Sequence, residues 1–216
     1  MEKETVILTC SSLERYVKRA QEKMHTNYPI IVIDRIYHVE PATMKTVIWQ
    51  ELDTILAAMG FCGGVWDQVR AQVRTVIPRV DDCVSLLLAT DDRYIPNRKE
   101  SGHLYLYEDE PEKFSVLSLL KDYRKASKEF QGLDEETLLH MWFDQYYFLD
   151  IIDTGYNDCY ELAYAEQAQK NADMIHAALD YVQGSNRILE KLVSGEWDEQ
   201  FLVAEPGHLI RHGDFF

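Results

Sequence analysis

The first ninety residues repeat one pattern, a short apolar, β-branched run followed by a segment able to form a helix. Thr5-Val6-Ile7-Leu8-Thr9 is the first run, and Ser11 and Glu14 then stand at capping-box spacing for a helix reaching about His25. Pro29-Ile30-Ile31-Val32-Ile33-Asp34 is the second, with a helix expected from about Pro41 to Asp53. Thr54 to Met59 is the third and weakest; it ends in Gly60-Phe61-Cys62-Gly63-Gly64, a turn with unusual backbone angles, before a helix expected over Val65 to Gln72. Arg74-Thr75-Val76-Ile77-Pro78 is the fourth, and Asp81-Asp82 can cap a helix carrying Cys83 to Ala89. Runs this continuously apolar suit strands buried on both faces. The repetition therefore predicts an α/β fold, a Rossmann-like parallel sheet flanked by helices with right-handed crossovers.

Residues Asp91 to Glu110 are polar and turn-rich, with a short extended piece at His103-Leu104-Tyr105-Leu106-Tyr107. Beyond them the patterning reads as helices: Pro111 to Phe130, Asp134 to about Ile152, Asn157 or Asp158 to Gly184, and Ser185 to Val193. Met141-Trp142-Phe143 with Tyr146-Tyr147-Phe148 has helical spacing with aromatic side chains all round, the mark of a buried helix more often than of a cofactor wall. Phe201-Leu202-Val203-Ala204 can return to the sheet as a last strand. The expected organisation is one α/β domain, its sheet core in 1–110 and 196–212 and a C-terminal helical layer or lid in 111–195.

Thirty-seven acidic side chains against 22 basic ones give a formal charge of -15, the wrong sign for a broad phosphate-binding surface, so nucleic acid is not an expected partner. The start, Met1-Glu2-Lys3-Glu4, has none of the phases of a signal peptide, and no apolar stretch approaches the roughly 18 residues of a membrane span. The expectation is a cytoplasmic protein without a membrane partner. Four cysteines without short regular spacing are too sparse for a disulfide scaffold; special ones among them would be metal ligands or reactive thiols.

Open parallel sheets bind ligands at the carboxyl ends of their strands. Past the first strand comes Cys10, past the second Asp34 and then His38, past the third Cys62, and past the fourth Arg79, Asp82 and Cys83. Three of the four cysteines thus share one topological address with a histidine and carboxylates. Cys10, His38, Cys62 and Cys83 make a chemically complete ligand set for zinc or iron, and thiolates also suit an iron-sulfur cluster. Cys10 and Cys83 at helix starts would favour thiolate, and Gly63-Gly64 could aim backbone N–H groups at the site. Asp82 and His38 are the candidate proton carriers, and Arg79, Gly63, Gly64 and Asp34 the candidate ligand-binding residues. Arg79 can hold an anion by two parallel hydrogen bonds or can serve as a structural ion-pair partner. Against all this stands the ordinary role of free cysteine as a small buried apolar side chain, which is the reading for Cys159. Walker, GxGxxG, HExxH and GxSxG motifs do not occur in the chain.

Leu8-Thr9-Cys10 with Leu13-Glu14, His38 with Pro41, Gly60-Phe61-Cys62-Gly63, Pro78-Arg79-Val80-Asp81-Asp82-Cys83, Asp153-Thr154-Gly155, and Leu189-Glu190 through Gly195-Glu196-Trp197-Asp198 to Phe201-Leu202-Val203 with Pro206-Gly207 occur in order along the chain. In this series the sequence resembles the DUF1638 family. The resemblance implies an association with bacterial and archaeal gene clusters for corrinoid-dependent methyl transfer from methylamines, and no established activity. The family pattern carries a histidine before the Asp-Cys pair where this chain has Asp81, and the segment between His38 and Cys62 is compressed.

The function expected from residues and resemblance together is a zinc- or iron-binding protein with a Cys/His site at the sheet edge, acting in or beside corrinoid-dependent methyl transfer. Its partners would be a small-molecule substrate or cofactor and a corrinoid protein or methyltransferase. The alternatives are an iron-sulfur redox protein and a non-catalytic binding module with inert buried cysteines.

Overall fold

A computed structural model of the chain describes residues 5–33, 53–108, 115–126 and 130–216. The fold is α/β, with Rossmann-like parallel sheet flanked by helices. It forms two compact units, Met1–Arg98 with Ser185–Phe216, and Lys99–Gly184.

The first unit holds a five-stranded sheet. β1 (Thr5–Cys10) pairs in parallel with β2 (Ile30–Ile33) on one side and with β3 (Thr54–Ala58) on the other. β4 (Arg74–Pro78) is parallel to β3, and β8 (Phe201–Ala204) closes the edge antiparallel to β4, giving the order β2-β1-β3-β4-β8. The central β1 and β3 are buried along nearly their whole length, which is why they read as unbroken apolar runs. α1 (Glu14–Met24) buries Tyr16, Val17, Ala20 and Gln21, one helical stripe, and α6 (Arg187–Ser194) buries Ile188, Leu189, Leu192 and Val193. These stripes pack on each other, tied by Asn186 Nδ2 donating to the Tyr16 carbonyl and by the Lys23–Glu190 ion pair. Each of the fully buried aliphatic side chains stabilises this core by about 1.5–3 kcal/mol.

Two local expectations fail here. Ser11 and Glu14 do not form a capping box: the Cys10 carbonyl accepts from Leu13 N, and Leu13 becomes the residue before α1, without a side-chain cap. Residues 65–72 are not a helix. Two of their amides turn outward, Gln68 N donating to Ile210 O and Ala71 N to His208 O, so residues 208 and 210 take hydrogen bonds a continuing helix would have used. The helix expected between Pro41 and Asp53 lies outside the described residues.

In the second unit β5 (His103–Leu106), β6 (Phe148–Asp153) and β7 (Ala178–Gln183) form a parallel sheet in that order. α3 (Val116–Ala126), α4 (Glu135–Phe143) and α5 (Leu162–Met174) accompany it. Leu106, Leu149 and Ile151 pack with Val116, Leu120, Leu138, Phe143, Ala168 and Ala172 into this unit's core. Residues 111–195 are thus more than a helical layer, because two of the expected helices end early and give way to strands. α4 stops at Phe143, and Phe148-Leu149-Asp150-Ile151-Ile152-Asp153 follows the two-residue period of a strand, Leu149 and Ile151 sharing the core side. α5 ends where His176 adopts a left-handed φ of 56°, with Ala177 N donating back to Ala172 O, and the chain then extends into β7.

Candidate functional site

The sheet order β1-β3-β4 sets three strand ends side by side, and each end leads to a cysteine. Cys10 is the last residue of β1, buried, with its thiol hydrogen-bonded to the Ser12 hydroxyl. Cys62 opens a 3₁₀ turn, Cys62–Gly64, a few residues past β3. Asp82 and Cys83 follow β4, where Asp82 Oδ1 accepts from Ser85 N at 2.9 Å and caps α2 (Cys83–Leu87).

Backbone hydrogen bonds lash the second of these loops to the third. Phe61 N donates to Val80 O at 2.8 Å and Cys62 N to Asp81 O at 2.7 Å. That approach requires glycine at position 60, since a Cβ there would lie 2.6 Å from Val80 O and 2.9 Å from Asp82 N. Trp66, fully buried, fixes the same loop by donating Nε1–H to Gly60 O. Cys62 itself has a φ of 47°, a conformation that non-glycine residues adopt at some strain.

The Cys62 thiol is held well above its ordinary pKa by burial first, and then by Cys83, Cys10 and Asp82, against a lowering hydrogen bond at Gly60. Cys62 is the common member: both other sulfurs and a carboxylate act on it. The surroundings favour the neutral thiol, so a cation arriving here would displace protons as it bound. Three cysteine sulfurs are donors that zinc and iron accept. As they stand they form no coordination shell, and among the described residues no group of three or more His, Cys, Asp or Glu side chains is arranged to hold a metal ion.

The other expected site residues divide. Asp34 and His38 lie outside the described residues. Gly64 does not aim its N–H at the cysteines, because that amide donates to Phe61 O within the turn; Gly63 and Gly64 serve instead through positive φ, 68° and 90°. Cys10 does not start a helix, and the helix that Cys83 starts has only five residues. Arg79 belongs to a clamp on the chain's end: its Nε donates to Asp214 O at 2.8 Å and its Nη1 to Glu199 O at 3.1 Å. The guanidinium lies 4.0 Å over the Tyr94 ring, whose hydroxyl donates to Phe215 O. Phe61 meets this same segment through the rings of Phe215 and His212, so the C-terminal residues cover the residue next to Cys62. Cys159 lies in the second unit, buried in its hydrophobic core and ahead of α5 instead of within it.

Sequence reasoning missed Ser12, Gly60 and Trp66. The three-glycine cluster signalled the turn, but which glycine faces another backbone becomes visible only once β3 and β4 are paired.

The sequence model of the family described as "Protein of unknown function (DUF1638)" matches residues 32–193, more than half of the chain. The chain belongs to the DUF1638 family. Cys62, Arg79, Asp82 and Cys83 fall within the matched stretch, and Cys10 precedes it. No curated protein and no solved structure matches this DUF1638 chain. No helix among its described residues is long and apolar enough to cross a membrane.

Proposed function

We propose that this DUF1638 protein binds zinc or iron through Cys10, Cys62 and Cys83, with His38 as the nitrogen ligand, in the cytoplasm. The observation that carries the reading is that Cys10, Cys62 and Cys83 follow three neighbouring strand ends, with the Cys62 loop bonded through Cys62 N to Asp81 O, two residues before Cys83. The donor set fits a thiophilic ion, and the buried Cys62 thiol would exchange its proton for it. When bound, the ion would supply a positive charge that holds the sulfurs as thiolates and polarises a further ligand. Asp82, beside Cys62, would accept or return a proton at that edge. The family resemblance supports reading this chemistry as acting in or beside corrinoid-dependent methyl transfer, with a corrinoid protein or methyltransferase as the proposed partner and the acidic composition as the basis for its selection.

Metal analysis of anaerobically purified protein tests the reading. Wild type and Cys159→Ser are expected to carry zinc or iron in equal amount, and Cys62→Ser to lose most of it. Metal-free wild type, or equal metal in both variants, overturns it and leaves a binding module with inert buried cysteines. Iron together with sulfide and charge-transfer absorbance would identify the cluster form of the site instead.

A further inference from the structure

A second group of metal-compatible side chains stands in the unit formed by residues 99–184, and none of them is a cysteine. His103 opens β5 and Asp150 is the third residue of β6. Strand alternation puts His103, Tyr105, Phe148 and Asp150 on the sheet face opposite Leu106, Leu149 and Ile151, which pack in the helical core. His103 Nδ1 lies 2.7 Å from Asp150 Oδ2, and the Asp150 side chain is only 8% exposed. In the neutral ring, a proton on Nδ1 donated to Asp150 leaves Nε2 as the nitrogen with the lone pair. The imidazole is held flat by Phe148, at 4.5 Å between ring centroids and 17° between planes.

Orientation of one ring nitrogen by a buried carboxylate is how proteins prepare the other nitrogen for a metal. Here the other nitrogen already faces an oxygen: Nε2 is 3.7 Å from Glu100 Oε2, and the Glu100 side chain is 77% exposed. Around a tetrahedral zinc ion with bonds of about 2.0–2.1 Å, neighbouring ligand atoms lie roughly 3.3 Å apart. The two side chains are therefore a few tenths of an ångström from a bridging geometry, and the one that must move is free to do so. Asp180, the register partner of Asp150 on β7, is exposed and adds negative charge to this face.

We infer that His103 Nε2 and Glu100 Oε2 form a two-ligand site for a divalent transition ion of the zinc class, with Asp150 as the positioning carboxylate behind the imidazole. Two protein ligands leave coordination positions open to water or to an oxygen or nitrogen of a small ligand. The site is separate from the thiol cluster in both residues and donor chemistry, and it stands or falls independently of it.

The test is a zinc titration of the full chain under reducing conditions, followed by the imidazole nitrogen resonances of its seven histidines. The His103 Nε2 resonance is expected to shift at submillimolar zinc while its Nδ1 stays protonated. Glu100→Gln, on an exposed side chain, should weaken the response at least tenfold, and Asp150→Asn by about 10–100-fold. Gly132→Ala, where an added Cβ meets nothing within 4 Å, should leave it unchanged. A His103 Nε2 resonance that does not move up to millimolar zinc overturns the inference, and so does a Glu100→Gln variant that titrates like wild type.

Discussion

Gly60 and Val80 approach so closely that no side chain fits between them, and this contact aligns Cys62 with the loop that carries Cys83. Gly60→Ala would drive a Cβ to 2.6 Å from a backbone oxygen that has no room to retreat. Overpacking of this kind costs about 1–3 kcal/mol, and chemical denaturation should show a loss in that range or more. Gly132→Ala, where a Cβ meets nothing within 4 Å, is the matched control and should be neutral or slightly stabilising. Equal midpoints for the two variants would mean that the loop adapts and that the close approach is dispensable.

The four thiols should react in a fixed order. Cys83 is half-buried, whereas Cys10, Cys62 and Cys159 are buried, and burial also pushes the Cys62 thiol up, away from the reactive thiolate. Timed alkylation of native metal-free protein, read by peptide mass spectrometry, should label Cys83 first and the other three only on unfolding. Early labelling of Cys62 would contradict the packing of its loop.

Arg79 should behave as a scaffold residue. A lysine can place one ammonium near Asp214 O or Glu199 O but cannot span both carbonyls and lie over Tyr94 as the guanidinium does. Arg79→Lys should lower stability by about 1–2 kcal/mol and expose the last residues to carboxypeptidase. Wild-type melting and digestion in this variant would return Arg79 to consideration as an anion-binding residue.

The loop at residues 91–98 should weaken in acid. Hydrogen bonds from Arg93 and Arg98 hold the Asp91 carboxyl far below its ordinary range. A folded-state pKa lowered in this way contributes stability that is full above the unfolded value of about 3.9 and disappears as pH falls through the folded one. Asp91→Asn should therefore be less stable than wild type at neutral pH, and the gap should close as pH drops below about 4. A gap that stays constant down to pH 2 would show that Asp91 acts through something other than its charge.

The first unit was legible because its strands are buried on both faces, so local composition and global position agreed for β1, β3 and β4. Cys10, Cys62 and Cys83 were legible as residues at the strand ends, whereas the order of the strands in the sheet was not read from the sequence. The second unit was opaque for a different reason. Phe148 to Asp153 and Ala178 to Gln183 each follow a genuine helix with no glycine or proline between, and the helices end at Phe143 and Met174 without the glycine that most plainly marks a stop. Residues 65–72 misled because their hydrogen-bond partners lie more than a hundred positions away. Arg79 was visible as a residue of the site edge, but its partners come from the chain's last residues and could not be inferred from its neighbours.

The discontinuity of the first unit governs the order in which a ribosome could complete this protein. Residues 99–184 leave the exit tunnel as one uninterrupted stretch that contains β5, β6 and β7 with α3, α4 and α5, so that unit can close while synthesis continues. The thiol-bearing unit must wait for Arg187–Ser194 to cover α1 and for Phe201–Ala204 to cover the edge of β4. Until then its cysteines sit in a half-built sheet with an open strand edge. The nascent chain is thus most vulnerable to oxidation and to strand-edge aggregation over the time in which the second unit is being made.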